Sequence, residues 1–423
     1  MEARLSEAET QLANCKGGKP PAEVVQLLRE IALDDSNLSN ADNVKLKDRA
    51  IQKLAEAYAA SGEAKAIASL LTELRPSFAF LPKAKTAKIV RTMIDTMAKV
   101  PGSTQLQLEV CKEQVDWARQ EKRTFLRQRI EARLANLYLD IREFTSALTL
   151  ISTLLTEVKR LDDKLLLVDI HLLESRVHHA LRNLPKAKAA LTAARTAANS
   201  IYVPPSLQAE IDLQSGTLHA DEHDYKTAYS YFFEAFEQKN ALDDPKAVFC
   251  LKYMLLCKIM MSDSEEVPSI ISSKAGLKYT GTEVDAMKDV AKAYQDRSLS
   301  EFQVALGAHK EELVEDPIVH VHLTKLYDTL LEQNLCRLIE PFSRVEIQHI
   351  ADLINLPVKD VEAKLSLMIL DKKFDGTLDQ GSGCLQVFDP ATEDIVYPAA
   401  LKTFDNMQRV VDTLFARSQK IIV

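Results

Sequence analysis

Two histidines four residues apart are the first candidates for chemistry in this sequence. His219 and His223 have the spacing of the two zinc ligands on a zinc-peptidase helix. Such a helix also needs a glutamate directly after the first histidine, to act as general base, and this chain has Ala220 there. The pair therefore predicts polar surface rather than a metal site.

A second pair, His320 and His322, has the H-x-H spacing found in some metal-dependent hydrolases. Those enzymes complete the site with a serine and an aspartate at fixed offsets, and the corresponding positions here are Leu330 and Gln333. Without a carboxylate ligand a catalytic zinc site is incomplete. We therefore predict no metal site in this chain.

The cysteines and glycines also lack a catalytic arrangement. Cys250 and Cys257 stand seven apart on one apolar helical segment, which is the usual place of a buried core cysteine. Gly376, Gly381 and Gly383 do not lie between a strand and a helix, as a nucleotide-binding loop requires. We find no nucleophile beside a base, so the sequence predicts no catalytic residue, no cofactor and no enzyme activity.

Five basic residues are concentrated between positions 122 and 133, where nucleic acid could in principle bind. They share one predicted helix with Glu121 and Glu131. Interspersed charges of both signs favour a solvated face or a contact between subunits over a phosphate-binding surface. The residues are Lys122, Arg123, Arg127, Arg129 and Arg133.

Composition further limits the fold class and the possible partners of this protein. Only 11 of 423 residues are glycine, which favours helices over turn-rich folds, and the net charge of −8 disfavours binding to phosphate backbones. Six scattered cysteines without a C-x-x-C pair fit a reducing compartment. Met1 is not followed by a basic segment and an apolar run, and the apolar stretch at 253–261 is too short to span a bilayer. We expect a soluble, intracellular protein that does not bind membranes.

Apolar residues recur at the helical period over most of the chain up to about residue 335. Turn signals such as Ser61-Gly62 and Pro101-Gly102 separate these segments. Two of the apolar faces consist of Ile51, Leu54 and Tyr58, and of Ile67, Leu70, Leu71 and Leu74.

A repeat of about forty residues organises these helices. Phe144, Leu184 and Tyr225 each follow a short polar turn and each precede an alanine by three positions. They are 40 and 41 residues apart, and projection along the chain reaches Ala64 in one direction and Pro268 and then Phe302 in the other. The small residue lets the second helix of a pair approach the first closely. The pattern predicts an α-solenoid of tetratricopeptide-like or HEAT-like helical pairs, the alternative being one irregular helical domain.

The last third of the chain has a different pattern. Ser343 and Glu346 have capping-box spacing and predict the start of a short helix, and Pro357 begins a second one, with Val358 on its apolar face. Residues 374–378 and 384–388 are predicted strands around a glycine-rich turn. This order of elements is typical of a winged helix.

Winged helices often bind DNA, which is a competing hypothesis here. The second helix carries Lys359 and Lys364 but also Asp360 and Glu362, and its other residues are largely apolar. A helix that reads a groove usually presents arginine, asparagine or glutamine to base edges. The sequence therefore favours protein packing and predicts no nucleic-acid binding.

Residues 397–423 predict a long amphipathic helix. Its apolar side chains recur at three- and four-residue spacing, which places them in one stripe. The stripe either folds back on the winged helix or joins helices of other subunits, and its length favours partner helices. The predicted interface residues are Leu401, Phe404, Met407, Val411, Leu414 and Ile421.

A helical array leading into a winged helix resembles the PCI-domain family, which supplies subunits to the proteasome lid, the COP9 signalosome and translation initiation factor 3. Five strings are similar to PCI subunits of the 26S proteasome regulatory lid. They are EKRTFLRQ at 121–128, KTAYSYF at 226–232, LKYMLLCKI at 251–259, EPFSRV at 340–345 and MILDKKF at 368–374.

The resemblance implies a non-catalytic scaffold in ubiquitin-dependent protein degradation. In that family the PCI domain and the C-terminal helix join other lid PCI subunits, and the solenoid reaches the AAA ATPase ring and the α ring of the core particle. Implied domains are helical repeats at 1–220, the helical part of the PCI domain at 221–335, its winged helix at 336–390 and an assembly helix at 391–423. A signalosome or initiation-factor subunit is the alternative assignment. The loop Gly17-Gly18-Lys19-Pro20-Pro21 has no match in the family.

Overall fold

The computed structural model describes residues 22–33, 41–79, 81–279, 281–310, 313, 317–354, 356–388 and 396–422. The loop at 17–21 therefore lies outside the described residues. By its internal contacts the chain divides into two compact units, Met1–Cys257 and Lys258–Val423. The sequence boundaries at 220, 335 and 390 divide the chain more finely and stay predictions.

The first unit consists of helices that follow one another with short turns, as the sequence predicts. Among its described residues these are α1 (Ala22–Leu33), α2 (Ala41–Ser61), α3 (Ala64–Glu73), α4 (Lys83–Met97), α5 (Thr104–Gln120), α6 (Thr124–Asp140), α7 (Phe144–Leu161), α8 (Lys164–Ala180), α9 (Leu184–Asn199), α10 (Pro205–Asp221), α11 (Tyr225–Ala241) and α12 (Ala247–Met260), the last of which extends past the boundary.

The forty-residue repeat corresponds to helical pairs. Ala64, Phe144, Leu184 and Tyr225 are the first residues of α3, α7, α9 and α11. The alanines three positions after the last three, Ala147, Ala187 and Ala228, are each 0% exposed, so close packing at these points is confirmed. The apolar faces predicted in α2 and α3 are also buried.

The forward projections of the repeat are less accurate. Pro268 lies at the start of α13 (Val267–Ser272), which is only six residues long. Phe302 lies inside α15 (Leu299–Ala308) rather than at its start, because Ser298 caps that helix by accepting a hydrogen bond from the Glu301 amide at 3.3 Å.

The turns between helices are tight even though few contain glycine. Lys122, Arg142, Asp162 and Arg182 recur every twenty residues in the left-handed region, with φ between 54° and 68°. The next residue's amide donates back into the preceding helix, as in Glu143 N to Tyr138 O at 2.9 Å. This Schellman-type closure satisfies helix-terminal carbonyls and stabilises a conformation that costs non-glycine residues about 1 kcal/mol.

The second unit contains α13, α14 (Thr282–Gln295), α15, α16 (Pro317–Ile339) and the winged helix with α17 (Ile347–Ile354) and α18 (Val358–Leu370). Its three-stranded antiparallel sheet has the order β1-β3-β2, with β1 Arg344–Glu346, β2 Gly376–Asp379 and β3 Cys384–Val387. The all-α fold class with a small sheet is confirmed, and the hairpin β2–β3 lies where the sequence predicts it.

The predicted capping box at Ser343 is wrong, because this segment is the edge strand β1. Val345 is 7% exposed and is paired with the fully buried Leu385 of β3. The backbone oxygen of Ser343 accepts a hydrogen bond from Val387 N at 3.0 Å, so Ser343 takes part in pairing with β3 rather than in capping a helix. Cross-strand burial of Val345 therefore prevails over the local capping signal.

Apolar faces of α17 and α18 form the core of the winged helix, but Val358, which the sequence places on the apolar face of α18, is not part of it. Val361, Leu365 and Met368 are at most 1% exposed, whereas Val358 is 40% exposed at the start of α18. Its position in the first turn, directly after the N-cap Pro357, explains why it lies at the edge of the core. The last element that the structure describes is the helix α19 (Val396–Ile422).

Candidate interaction surfaces

An exposed apolar surface runs along α19. Every side chain described from 396 to 419 is exposed, so within the described residues the helix does not fold back on the winged helix. The side chain of Ile421 lies outside the described residues. The five other residues of the predicted stripe, each 56–68% exposed, are Leu401, Phe404, Met407, Val411 and Leu414.

The stripe is wider than the sequence prediction. Val410 and Phe415 are also 56% and 63% exposed, next to Val411 and Leu414. The sequence indicates this extra width through two pairs of adjacent apolar residues in consecutive turns, Val410-Val411 and Leu414-Phe415. Phe404 and Val411 stand seven residues apart, the period of a helix that packs against other helices. A stripe of this width can contact more than one partner helix.

Two lysines of the winged helix, Lys364 in α18 and Lys373 just after it, are held in ion pairs, whereas Lys359 at the start of α18 is exposed. Lys364 lies 3.0 Å from Glu332 Oε1 and 3.5 Å from Asp328 Oδ1, both in α16, and Lys373 lies 3.9 Å from Glu332 Oε2. These intramolecular pairs reduce the positive charge available to a phosphate backbone.

The helix α18 also exposes large apolar side chains. Leu367 is 54% and Leu370 77% exposed, near its C-terminal end. Leu353 of α17 is 55% exposed. Apolar groups of this size at the surface favour contact with protein rather than with base edges.

Four of the five basic residues at 122–133 divide into two groups, and the fifth, Lys122, is exposed in the turn before α6. Arg123 lies over the Trp117 ring, with its guanidinium carbon 4.9 Å from the ring centroid, and donates to Phe78 O at 3.3 Å. Arg127 pairs with Glu157 of α7. These two arginines therefore hold neighbouring helices together rather than forming a solvated face. Arg129 and Arg133 instead line a groove on the first helices of the repeats.

His219 and His223 contact aromatic side chains of their own helical pair. His219 stacks on Tyr231, with ring centroids 5.5 Å apart, and His223 Nδ1 lies 3.1 Å from the Tyr225 hydroxyl. His322 is buried at 1% exposure. No cluster of three or more metal-ligating side chains occurs in the part of the chain that the structure describes.

The cysteines belong to the core. Cys250 and Cys257 are at most 1% exposed, as predicted, and burial raises the pKa of their thiols to about 11 and about 12. Burial likewise raises the pKa of Cys111 to about 11. Since the thiolate is the reactive form, these thiols are unreactive at neutral pH.

Across the described residues, we find no helix with the length and apolarity needed to cross a bilayer.

Comparisons with known proteins cover nearly the whole chain. Residues 2–141 match the family model described as the 26S proteasome regulatory subunit RPN6 N-terminal domain, and residues 306–389 match the PCI domain. The 26S proteasome non-ATPase regulatory subunit 11 homolog of Arabidopsis thaliana is 62% identical over 95% of both chains. The probable 26S proteasome regulatory subunit rpn6 of Schizosaccharomyces pombe is 52% identical over 87% of this chain and 88% of its own. The 26S proteasome regulatory subunit RPN6 of Saccharomyces cerevisiae is 48% identical over 82% of this chain and 80% of its own.

Proposed function

Because this chain belongs to the family of 26S proteasome non-ATPase regulatory subunit 11 and RPN6, we propose that it is a non-catalytic scaffold subunit of the regulatory lid. In that role it supports ubiquitin-dependent protein degradation by holding other subunits in place. The observation that carries the proposal is the exposed apolar stripe of α19, which a folded protein in isolation has no reason to keep in water.

We propose that α19 joins a bundle of helices from other lid PCI subunits. Leu401, Phe404, Met407, Val411, Leu414 and Ile421 are the residues proposed to be buried there. Burying apolar surface contributes ~25 cal/mol per Å², so several large side chains supply a strong driving force. A helix of 27 residues is about 40 Å long at 1.5 Å per residue, which is enough for several layers of contact.

The winged helix is the second proposed interface. Its exposed Leu353, Leu367 and Leu370 suit a protein neighbour, and its paired Lys364 is poorly suited to DNA. We propose that this surface contacts another PCI subunit. The assembly helix at 391–423 and the winged helix at 336–390 then act together, as the domain division implies.

The helical repeats are proposed to clamp the regulatory particle onto the α ring of the core particle and onto the AAA ATPase ring. The family resemblance alone suggests these two partners. An array of paired helices offers an extended surface for such contacts. Cytoplasm and nucleus are the proposed compartments, and no cofactor, catalytic residue or membrane contact is proposed.

A subunit of the COP9 signalosome or of initiation factor 3 would have the same PCI architecture. We favour the proteasome because the similarity extends over 95% of the chain at 62% identity to a proteasome subunit. Copurification separates these assignments, since core-particle subunits accompany a proteasome lid subunit and not the other two.

The proposal is tested by removing residues 397–423. Because the described side chains of α19 are exposed, we expect the truncated protein to keep its helical content and its melting temperature. We also expect it to be absent from lid isolated under gentle, ATP-containing conditions. Normal incorporation of the truncated chain would overturn the role of α19.

A further inference from the structure

A groove runs along the inner helices of the first unit. Its lining residues come from α4, α6, α8 and α10, the first helices of successive pairs, and from Pro204 and Lys246, which precede α10 and α12. It encloses about 920 Å³, which is within the range of ligand-binding clefts. The second helices of the pairs contribute no lining residue. The repeat therefore presents one continuous surface made of equivalent helices.

The groove is basic although the chain is acidic. Six lysine and arginine side chains and three carboxylates line it, an excess of three positive charges in a chain of net charge −8. Such local reversal of sign concentrates the field in a concave surface and attracts anions there. One of these cations, Lys88, pairs at 3.6 Å with Asp48, which does not line the groove.

Three of the guanidinium groups have no acceptor. Arg91, Arg129 and Arg133 make no side-chain hydrogen bond and no ion pair shorter than 4.0 Å within the described residues, and Arg133 Nε is buried without a hydrogen-bond partner. By contrast, Arg176 in the same groove pairs with Glu210 at 3.2 Å. Guanidinium groups bind carboxylates through two parallel hydrogen bonds, so the unpaired ones are well suited to carboxylate ligands.

Apolar side chains lie between these charges. Phe125, Arg129 and Arg133 are spaced i, i+4 and i+8 on α6, so they share one face. Phe125 is 63% exposed, and Leu165 of α8 is 40% exposed. A ligand that fills the groove would thus meet charged and apolar contacts in alternation.

We propose that this groove binds an extended peptide segment of another protein in which acidic and apolar side chains alternate. The acidic side chains pair with Arg91, Arg129 and Arg133, and the apolar ones contact Phe125 and Leu165. A continuous phosphate chain fits less well, because Asp95, Asp169 and Glu210 lie in the same groove and would repel it. The proposal does not depend on which assembly the chain joins.

The test is fluorescence anisotropy of the full-length protein with a labelled peptide of three Asp-Leu-Glu-Ala repeats, at about 50 mM salt, where surface charges are little screened. The matched peptide carries asparagine and glutamine in place of the acids. We expect the acidic peptide to bind at least about tenfold more tightly, a factor equivalent to ~1.4 kcal/mol. Equal affinities, or no binding of the acidic peptide, would overturn the proposal.

Variants locate the binding. Arg91→Gln and Arg129→Gln change exposed side chains, so both proteins should melt at the wild-type temperature while the acidic peptide binds several-fold more weakly. Arg160→Gln removes an exposed charge on α7, outside the groove, and should leave binding unchanged. An equal loss in all three variants would mean non-specific attraction. Tighter binding of single-stranded DNA, lost in Arg129→Gln, would assign the groove to nucleic acid instead.

Discussion

The Phe232 ring of α11 occupies the space that a side chain at Gly216 of α10 would need. A Cβ at Gly216 would lie 2.7 Å from Phe232 Cδ1 and Cε1, well inside van der Waals contact. Phe232 is 1% exposed and also packs against Tyr253, with ring centroids 5.4 Å apart. The absence of a Cβ at one position thus sets the close approach of two paired helices.

Gly216→Ala should therefore destabilise the protein, although alanine usually favours a helix by about 0.5–1 kcal/mol. Overpacking a filled core costs about 1–3 kcal/mol, because the ring of Phe232 must move. We expect a lower midpoint in urea-induced unfolding followed by circular dichroism.

Gly307 in α15 is the matched control, since a Cβ there would meet nothing within 4 Å. Gly307→Ala should leave stability unchanged or raise it by up to about 1 kcal/mol. If both alanine variants had the same stability, the packing of Phe232 against Gly216 would not limit the approach of α10 and α11.

Asp212 of α10 is a buried carboxylate held by two amides. It is 1% exposed and accepts hydrogen bonds from Gln208 Nε2 at 3.1 Å and Gln238 Nε2 at 3.3 Å. Burial raises its pKa above the ordinary value of 3.8, and Glu234 raises the pKa further. The folded state therefore binds the proton more tightly than the unfolded state, so this residue's contribution to stability falls as pH rises through the raised pKa.

Asp212→Asn should remove that pH dependence and give equal or higher stability at about pH 7.5, because no charge is buried and an amide oxygen still accepts. Asp212→Leu should lower the free energy of unfolding by about 1–3 kcal/mol, since the two glutamines lose their acceptor. Thermal melts at several pH values measure both effects. A leucine variant as stable as the asparagine variant would show that these hydrogen bonds do not matter.

The helical part of the fold could be predicted from sequence periodicity, because the burial of one helix face is what spaces the apolar residues at the helical period. Apolar residues at helical spacing must share a face, and Phe144, Leu184 and Tyr225 begin helices where short polar turns end. The long helix α19 was predictable for the same reason. The partners of α19 could not be predicted, because an apolar stripe indicates that the helix contacts another apolar surface but does not identify that surface.

Features that depend on distant residues were not predictable from local patterns. Ser343 and Glu346 form a good capping signal, and only the pairing of Val345 with Leu385 makes the segment a strand. Arg142 and Arg182 adopt the left-handed conformation that glycine signals usually mark, so the turn type was hidden. The groove arginines are separated in sequence, and only the fold brings Arg91 of α4 into the same groove as Arg129 of α6.

The proposed peptide groove should respond to pH through Asp169. Desolvation within the groove, followed by the nearby Glu210 and Asp163, raises its pKa to about 6, and Arg129 and Arg176 oppose the shift. Below that pKa the carboxyl group is neutral, so the groove is more positive. The acidic peptide should then bind about two- to fivefold more tightly, a factor that corresponds to the free energy of one solvent-exposed ion pair.

We expect that difference between about pH 5.5 and about pH 7.5, where the peptide's own acids stay largely ionised. Asp169→Asn should bind tightly at both pH values, as measured by anisotropy. An unchanged pH dependence in Asp169→Asn would show that another group, in the protein or the peptide, is responsible.

The winged helix should not bind duplex DNA measurably even at low salt. Lys364 and Lys373 are paired with Glu332, and the chain carries a net charge of −8. Anisotropy of a labelled duplex at about 20 mM salt is the measurement, because phosphate contacts are strongest there. Binding that weakens steeply with added salt would support the competing hypothesis that the winged helix binds DNA.

The central claim is that the stripe on α19 assembles this chain with other proteasome subunits. The most direct measurement is quantitative mass spectrometry of proteins that copurify with the tagged full-length chain under ATP-containing conditions. Wild type and Arg409→Asp, which changes the polar face of α19, should recover lid PCI subunits, AAA ATPases and core-particle subunits. Phe404→Asp with Leu414→Asp should lose them by about tenfold or more, because two charges would be buried in the bundle. Equal recovery by both variants, or recovery of signalosome or initiation-factor subunits instead, would contradict the account.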